Sequence, residues 1–311
     1  METKAVQPDV PECSFCTEPA VVCQRYHNRH LCGTHFTADV ELRVADTIKT
    51  RQLIVPQDRV AVALSGGKDS TALLLLLHRL LPAWEDVRLI AITIDEGIAG
   101  YREETIQSAE RLTGRLGIEH HCIAFTSLFG ESLDAFLTGR ETQACSICGI
   151  LRKKALVVGA HQAGATKLAT GHNLDDEAQS VLMNVFRGDL PRLVRNSRDE
   201  SSGKFIPRIK PLSRISEKEI ATYLMLNDAW NELPECPYTR YAMRREVRSM
   251  LSGFEYKHPG TMLNLVESKE KIERCAKGSV MSEPIHSCRE CGDPCSGDLC
   301  QVCLLRQSLE R

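Results

Sequence analysis

The chain has 311 residues, enough for one large or two medium domains, and 42% of them are hydrophobic while 26% are charged. Its longest apolar run, TALLLLLHRLLPAW, is interrupted by His78, Arg79 and Pro82, which excludes a membrane helix there. The first residues lack the apolar core of a secretory signal, so we expect a cytoplasmic protein. The formal net charge of -2 argues against a protein that coats nucleic acid by bulk charge.

The first zone, residues 1–50, begins with paired cysteine and histidine residues and ends in a helix. Apolar residues recur at helical spacing in the stretch ADVELRVADTIKTRQLI, which predicts an amphipathic helix. We interpret this zone as a zinc finger followed by that helix.

The second zone, residues 51–232, alternates strand and helix signals. Strands are predicted in RVAVAL, VRLIAITID, IEHHCIAF and ATKLATG. Helices are predicted in KDSTALLLLLHRLL, YREETIQSAERLTGRLG, CGILRKKALVVGAHQAG and NLDDEAQSVLMNVFRG. This alternation is typical of an α/β fold, a parallel sheet with helices on both faces. A helical extension over 233–282 and a second cysteine module over 283–311 would complete the chain.

Fourteen cysteines are many for a cytoplasmic chain, and most occur in C-x-x-C pairs rather than in a disulfide-like pattern. Two sets have the spacing of closed structural zinc sites. Their members are Cys13, Cys16, Cys32 and His35 in the first, and Cys288, Cys291, Cys300 and Cys303 in the second. Cys23 and Cys295 lie inside the clusters but off this spacing, although Cys295 could compete as a ligand. Such closed sites stabilise the two ends and leave no position for a substrate.

A third cysteine pair, Cys145 and Cys148, is predicted just ahead of a helix, and Cys236 lies in a loop flanked by prolines. Spacing alone leaves three alternatives open: a three-thiolate site, a C-x-x-C redox pair, or buried thiols without a role. Cys122 and Cys275 are expected to be ordinary thiols.

The segment SGGKDS follows a predicted buried strand and enters a helix. Gly66 and Gly67 allow positive φ and close approach of a ligand, while backbone N–H groups at the helix start form an anion cradle. Ser65 and Ser70 add hydroxyls, and Lys68 adds positive charge. The loop is shorter than a Walker P-loop and suits a leaving pyrophosphate; the alternative is a glycine-rich turn that merely caps a helix.

Nucleic-acid contact, if any, must come from local patches. The segments 187–198 and 240–248 each carry four arginines against one acidic residue. Taken alone, each patch is more typical of a solvated helix or loop face than of a nucleic-acid contact.

These motifs together resemble the tRNA 2-thiolation enzymes of the TtuA/Ncs6 group within the PP-loop ATP pyrophosphatases. The resemblance extends over nearly the whole chain and includes, in order, the first cysteine set, SGGKDS, IDEGIAGYR, CSICGILRKKAL, TGHNLDDEAQSVLMNVFRGD, the PEC cysteine and the last cysteine set. Several of these motifs look closer to the Ncs6/Ctu1 branch, which modifies the wobble uridine U34, than to the TtuA branch, which modifies U54.

The resemblance implies roles for specific residues. Those expected to bind ATP are Ser65, Gly66, Gly67, Lys68, Asp69, Ser70, Ile94, Arg152, Gly171 and Asp176. The ligands expected for a [4Fe–4S] cluster are Cys145, Cys148 and Cys236. Together with Arg152 and Asp176, these cysteines would be the catalytic residues. His172 is interpreted as positioning its loop, and Asp175 as a surface charge at a helix start.

The implied reaction replaces the C2 oxygen of a tRNA uridine by sulfur. ATP would adenylate the oxygen, Mg²⁺ and Lys68 would stabilise the leaving pyrophosphate, and sulfide on the open iron of a three-cysteine cluster would attack C2. The base must leave its stack to reach the site. The resemblance also implies a ubiquitin-like sulfur carrier or free sulfide as donor, and a homodimer.

Several alternatives remain at this point. Cys148 could carry a persulfide that Cys236 resolves, without iron. A cytidine-32 thiolase and an amidating synthetase with a small substrate fit the cysteine pattern less well. A non-catalytic zinc-ribbon RNA-binding scaffold would leave the intact SGGKDS loop and Asp176 unexplained.

Overall fold

The computed structural model describes residues 10–194, 206–238, 244–276 and 285–309. Arg195 and Arg198 of the first arginine patch and Arg240 of the second therefore lie outside the described residues. Within the described ranges, no helix is long and apolar enough to cross a membrane.

The N-terminal part is a small antiparallel hairpin followed by a long helix. Strand β1 (Val22–Gln24) pairs with β2 (Arg29–Leu31), and helix α1 (Gly33–Thr50) follows directly. Helix α1 begins before the predicted stretch, so His35 lies in its first turn. Its apolar face, which includes Phe36 and Val44, packs into the main hydrophobic core rather than standing apart.

The centre of the molecule is a five-stranded parallel sheet, as predicted. Its strands are β3 (Arg59–Ala63), β4 (Arg88–Asp95), β5 (Glu119–Ala124), β6 (Lys167–Ala169) and β7 (Arg208–Ile209). Their spatial order is β5-β4-β3-β6-β7. The four predicted strands are confirmed. The fifth, β7, was not predicted, because two residues are too short to show a two-residue period.

Helices connect the strands. In chain order they are α2 (Lys68–Leu80), α3 (Arg102–Leu116), α4 (Phe125–Phe129), α5 (Leu133–Phe136), α6 (Ala144–Gln162), α7 (Leu174–Phe186), α8 (Leu190–Val194) and α9 (Glu217–Leu226). Successive residues of a strand point to opposite faces of the sheet, and each face has its own hydrophobic core. Val60 and Val62 pack with the leucines of α2 on one face, and Ala61 packs with the α6 side on the other.

Helix α6 corrects one prediction. Cys145 and Cys148 do not precede a helix but lie in its first two turns. The buried stripe of α6 already begins at Ala144 and continues through Ile147, Cys148 and Leu151, so its apolar period extends back through the cysteine pair.

The C-terminal part packs onto two of these helices. Helices α10 (Arg244–Lys257) and α11 (Thr261–Cys275) pack against α7 through a separate apolar cluster. Strands β8 (His286–Ser287) and β9 (Pro294–Cys295) and helix α12 (Gln301–Leu309) form the last module. Val302 of α12 packs against the core on the α6 side. The domain boundaries stay a prediction.

Candidate active site

The strand order indicates where on the sheet a ligand crevice is expected. The sheet runs outward in opposite directions from β3 and β6, so the loops after these two strands separate at their carboxyl ends. Open parallel sheets bind ligands at such a switch point. The SGGKDS loop follows β3 and the TGHN segment follows β6, so the two predicted nucleotide motifs meet there.

The SGGKDS loop has a tightly constrained backbone. Gly66 has φ +87°, and a Cβ on it would lie 2.3 Å from the carbonyl oxygen of Thr105, so only glycine fits. Ser70 Oγ accepts from the backbone N–H of Ser65 at 3.1 Å and donates to the carbonyl oxygen of Gly67 at 2.9 Å. Gly67 is the N-cap of α2, whose first N–H groups therefore form an anion-binding end.

Lys68 is held by two carboxylates at the mouth of this loop. Its Nζ lies 3.0 Å from Asp69 and 2.8 Å from Glu217, the first residue of α9. Burial alone would lower the pKa of Lys68, but the two carboxylates outweigh it and raise that pKa. The ammonium therefore stays charged beside the loop.

The segment after β6 contacts the SGGKDS loop directly. A Cβ on Gly171 would lie 3.0 Å from the carbonyl carbon of Asp69 and from the amide nitrogen of Ser70. Asn173 caps α7 in a capping box with Asp176, and its Nδ2 donates to Asp69 at 3.0 Å. The two predicted ATP-binding segments are thus brought together.

Asp176 lies at the start of α7, where it faces the second arginine patch. Arg244 Nη1 lies 3.1 Å from its carboxylate. Burial raises the pKa of Asp176, although Arg244 opposes that rise. Arg248 lies one helical turn after Arg244 on α10 and pairs with Glu217 at 2.5 Å. The second arginine patch therefore borders the crevice.

Two neighbouring residues differ in role. Asp175 is partly buried and accepts from the Glu217 N–H at 2.8 Å, so it links α7 to the start of α9 instead of being a free surface charge. The Nδ1 atom of His172 lies 2.9 Å from Thr170 Oγ1. Burial, together with Lys210 and Arg208, lowers the pKa of His172 to about 4, so its imidazole is neutral at pH 7.

The three central cysteines lie at the start of α6 and in the loop that follows α9. Cys145 Sγ donates to the carbonyl oxygen of Tyr238 at 3.8 Å, which brings the loop carrying Cys236 to the start of α6. Burial raises the pKa of the Cys148 thiol to about 11; Cys236 and Cys145 add to that rise, and Arg152 opposes it. Cys148 is therefore close enough to the other two cysteines for their charge to affect its pKa.

Arg152 lies one helical turn after Cys148 and contacts both the thiol and an acidic residue. Its Nη2 donates to Cys148 Sγ at 3.3 Å, and its Nε donates to Glu96 Oε1 at 2.6 Å. On the other side, Glu96 forms an ion pair with Arg102, with Nε and Oε2 2.7 Å apart. Arg102 Nη1 in turn donates to the Ser65 carbonyl oxygen at 3.1 Å.

Ile94 is buried near the end of β4, and its carbonyl oxygen accepts from Arg102. Its predicted contact with adenine stays a prediction. Four residues of the crevice were not predicted as site residues: Glu96, Arg102, Asn173 and Glu217. The first three lie within the quoted motifs IDEGIAGYR and TGHNLDDEAQSVLMNVFRGD, so membership of these motifs was the available signal. Glu217 carried no such signal, because its partner Lys68 is distant in sequence.

Both terminal cysteine sets are compact. In the first, His35 Nδ1 lies 3.6 Å from Cys13 Sγ, 3.5 Å from Cys16 Sγ and 3.2 Å from Cys32 Sγ. In the second, Cys291 and Cys300 Sγ are 3.5 Å apart. In each set all four ligand atoms lie within 4.8 Å of one another, an arrangement that can hold one metal ion. Cys295 is outside the second set, with its Sγ 3.0 Å from the Gly297 carbonyl oxygen.

Comparison with known proteins decides the family. Residues 37–251 match the PP-loop domain family, and residues 12–37 match the N-terminal LIM domain of the 2-thiouridine synthetase TtuA. The chain belongs to the TtuA/Ncs6 family of tRNA thiolases. It is 35% identical to the tRNA 2-thiolation protein NcsA of Haloferax volcanii, over 96% of this chain and 99% of that protein.

Other family members cover the chain to a similar extent. The cytoplasmic tRNA 2-thiolation protein 1 of Bos taurus is 36% identical, over 97% of this chain and 88% of its own length. The solved structure of the U34-tRNA thiolase NcsA from Methanococcus maripaludis with its [4Fe–4S] cluster has 31% identity and a TM-score of 0.84, with 96% of each chain covered. The predicted fold and family are confirmed.

Proposed function

We propose that this member of the TtuA/Ncs6 family is a tRNA uridine 2-sulfurtransferase that acts on wobble U34, using ATP and a three-cysteine [4Fe–4S] cluster. The observation that carries the proposal is a chain of contacts between the two halves: Arg152 bonds Cys148 and Glu96. Glu96 pairs with Arg102, which in turn bonds the Ser65 carbonyl oxygen of the SGGKDS loop. The U34 thiolase of M. maripaludis, similar over 96% of the chain, supports both the position and the cluster.

The nucleotide half of the site is suited to a leaving pyrophosphate. One short loop carries several hydrogen-bond donors and a positive charge. They are the N–H groups at the start of α2, the hydroxyls of Ser65 and Ser70, and the Lys68 ammonium. Such donors stabilise the charge that develops as an adenylate forms on the uridine oxygen. Asp176, together with Asp69 at the loop, would hold the Mg²⁺ that accompanies ATP, and Ile94 would contact the adenine through its backbone.

The sulfur half is proposed to hold a cluster rather than a single ion. In the described parts of the chain, the sets that bring every ligand atom within 4.8 Å are the two terminal ones, and the central cysteines are not among them. Cys145, Cys148 and Cys236 are the proposed cluster ligands, and the similar U34 thiolase of M. maripaludis, which contains a [4Fe–4S] cluster, supports this. When bound, such a cluster has one iron without a protein ligand, which supplies a position for sulfide. Arg152 would then orient the activated oxygen toward it.

The two terminal sets are proposed zinc sites. Four nitrogen and sulfur ligands that close around one ion are typical of structural zinc. Neither set includes a nucleotide-loop residue, so both would stabilise the terminal modules and leave the chemistry to the crevice.

The partners follow from the same reaction. Arg244 and Arg248 of α10 pair with Asp176 and Glu217 at the border of the crevice, and we propose that these two arginines also contact tRNA phosphates. The sulfur donor would be a ubiquitin-like carrier or free sulfide. A homodimer is part of the proposal and rests on the resemblance alone, whereas the cytoplasmic location is supported by the name of the Bos taurus relative.

One relative favours a second candidate position. The tRNA-5-methyluridine(54) 2-sulfurtransferase of Pyrococcus horikoshii is 31% identical over 94% of this chain. A single test separates the two positions: tRNA is incubated with the holoenzyme, ATP and sulfide, and its nuclease fragments are analysed by mass spectrometry. We expect tRNA-stimulated AMP formation and sulfur in the anticodon fragment. Sulfur in the T-loop fragment alone would refute U34, and AMP formation without thiolated RNA would refute the sulfurtransferase.

A persulfide route is the alternative chemistry, and the contact of Arg152 with Cys148 is compatible with it. It uses Cys148 and Cys236 but not Cys145. Cys145→Ala therefore separates the two routes, because it removes a cluster ligand and should abolish thiolation only if the cluster is needed.

A further inference from the structure

Glu96 is a carboxylate buried between two arginines. It follows β4 directly and is 2% exposed. Oε1 accepts from Arg152 Nε at 2.6 Å, and Oε2 lies 2.7 Å from Arg102 Nε. A buried charge is retained only when it is paired, and here each oxygen has a different guanidinium partner.

Arg102 connects this carboxylate to the nucleotide loop. It is 3% exposed, and its Nη1 donates to the Ser65 carbonyl oxygen at 3.1 Å and to Thr105 Oγ1 at 2.8 Å. Its Nη2 donates to the carbonyl oxygen of Ile94. Since Thr105 also packs against Gly66, a shift of the loop backbone at Ser65 or Gly66 must move Arg102 or break its bonds.

Arg152 connects the same carboxylate to the sulfur site. Its side chain is 44% exposed, so packing alone does not hold it in place. The bond from its Nε to Glu96 directs its Nη2 toward Cys148 Sγ, 3.3 Å away. Without that carboxylate, the guanidinium is free to turn into the crevice.

The charges of Glu96, Arg102 and Arg152 favour this arrangement. One carboxylate stands between two guanidinium groups, which leaves an excess of one positive charge, and Arg152 presents it to the Cys148 sulfur. Hydrogen bonds to ligand sulfurs and nearby charge are among the factors that set the properties of an iron–sulfur cluster. A change of charge at the sulfur site therefore changes the force on Arg152, and Glu96 and Arg102 transmit that change to Ser65.

We propose that Glu96 is a positioning residue that holds Arg152 against Cys148 and couples the sulfur site, through Arg102, to the backbone of the nucleotide loop. The inference rests on the proposed function, because it takes Cys148 as a cluster ligand and residues 65–70 as the ATP loop. Coupling of this kind is reciprocal. If reduction of the cluster changes the ATP dissociation constant by a given factor, ATP binding changes the equilibrium between oxidised and reduced cluster by the same factor.

The test measures the ATP dissociation constant of the anaerobic holoenzyme with the cluster oxidised and with it reduced by dithionite. We expect the two constants of the wild-type protein to differ by about fivefold or more, the lower end of typical coupling. In Glu96→Gln, which keeps the shape but removes the charge, the ratio should fall below about twofold while ATP still binds.

The matched control is Asp39→Asn. Asp39 is also a carboxylate that bridges two arginines, Arg29 at 3.0 Å and Arg43 at 2.9 Å, but it lies on α1 and these partners are not among the residues that link Cys148 to Ser65. Its variant should keep the wild-type ratio. Arg102→Lys is a second variant, since lysine keeps the charge but cannot pair with Glu96 while it bonds both Ser65 and Ile94; it should lose the coupling as Glu96→Gln does.

The outcomes are distinct. Equal constants in the wild-type protein, or a full ratio retained in both Glu96→Gln and Arg102→Lys, would overturn the coupling while leaving the proposed function intact. A wild-type protein that takes up no cluster would overturn the proposed function and the coupling with it. Thermal unfolding of each variant shows whether a lost ratio comes from lost coupling or from a lost fold.

Discussion

The side-chain amide of Asn173 donates to the carboxylate of Asp69 at 3.0 Å, and so joins the segment after β6 to the first turn of α2. The same side chain accepts from the Asp176 N–H at 3.0 Å as the N-cap of α7. One residue therefore fixes the start of one helix and holds it against the nucleotide loop at the start of another. A local capping bond and a long-range bond thus tie the two nucleotide segments together.

The two bonds of Asn173 can be separated by substitution. Asn173→Ala removes both, and we expect a loss of about 1 kcal/mol in the free energy of unfolding from the lost cap together with weaker ATP binding. Asn173→Ser keeps a capping oxygen but loses the amide that reaches Asp69. It should recover most of the stability and little of the ATP affinity. Calorimetric ATP titration and thermal unfolding measure the two effects, and equal recovery of both would show that the Asp69 bond has no separate role.

Gly171 sets how closely the two loops approach. An alanine Cβ there meets backbone atoms of Asp69 and Ser70 at 3.0 Å, and backbone cannot move aside as a flexible side chain can. We expect Gly171→Ala to weaken ATP binding about tenfold, or ~1.4 kcal/mol. Gly253→Ala is the control, because its Cβ would meet nothing within 4 Å in α10. Unchanged ATP affinity in Gly171→Ala would mean that the loops are not held in this contact when ATP binds.

His172 predicts a specific dependence of stability on pH. Its pKa is lowered from 6.5 to about 4, so between these values the unfolded chain binds a proton that the folded protein excludes. The free energy of unfolding should therefore rise with pH across this window, and the stabilisation present above pH 6.5 is lost as the pH falls toward 4. In His172→Asn, the difference in that free energy between pH 7 and pH 4.5 should shrink by about 2 kcal/mol. Denaturant unfolding at the two pH values measures it, and an unchanged difference would contradict a neutral, partly buried His172.

The sheet and its helices could be predicted from the sequence because the signals are local. The spacing of apolar residues predicts four strands and the helices between them. The glycines, hydroxyls and lysine of SGGKDS, placed directly after a strand, predict the anion-binding loop. The start of α6 was placed too late, because a cysteine pair looks like a turn while Ala144 and Ile147 already continue the buried stripe. The two-residue strand β7 offers no period at all.

The site was predictable only in part, because its remaining contacts join distant segments. Glu96 and Arg152 lie far apart in sequence, and so do Lys68 and Glu217, yet each pair is within hydrogen-bonding distance. No spacing rule relates such residues; the order of the strands does, and it becomes visible only in the fold. The roles proposed for the predicted site residues stay predictions until activity is measured.

The terminal cysteine sets predict the response to metal removal. A short module without a large core folds on binding its metal, so a chelator should open residues around 13–35 and 288–303 to protease. Helix α12 packs on the α6 side and Lys154 pairs with Asp293, so loss of the second ion should also loosen α6. Limited proteolysis with mass-spectrometric mapping tests this, and Cys23→Ala, outside the ligand set, is the control. An identical cleavage pattern with and without chelator would refute structural metal at both ends.

The central claim is that three cysteines hold a cluster that thiolation requires. The most direct measurement compares protein purified anaerobically, before and after removal of iron, for 2-thiouridine formed in tRNA with ATP and sulfide, read by mass spectrometry. We predict a brown protein with about four irons per chain, as a [4Fe–4S] cluster requires, that thiolates tRNA only while iron is bound, and no thiolation by Cys145→Ala, Cys148→Ala or Cys236→Ala. Iron-free, colourless protein that thiolates tRNA at the full rate would contradict the account.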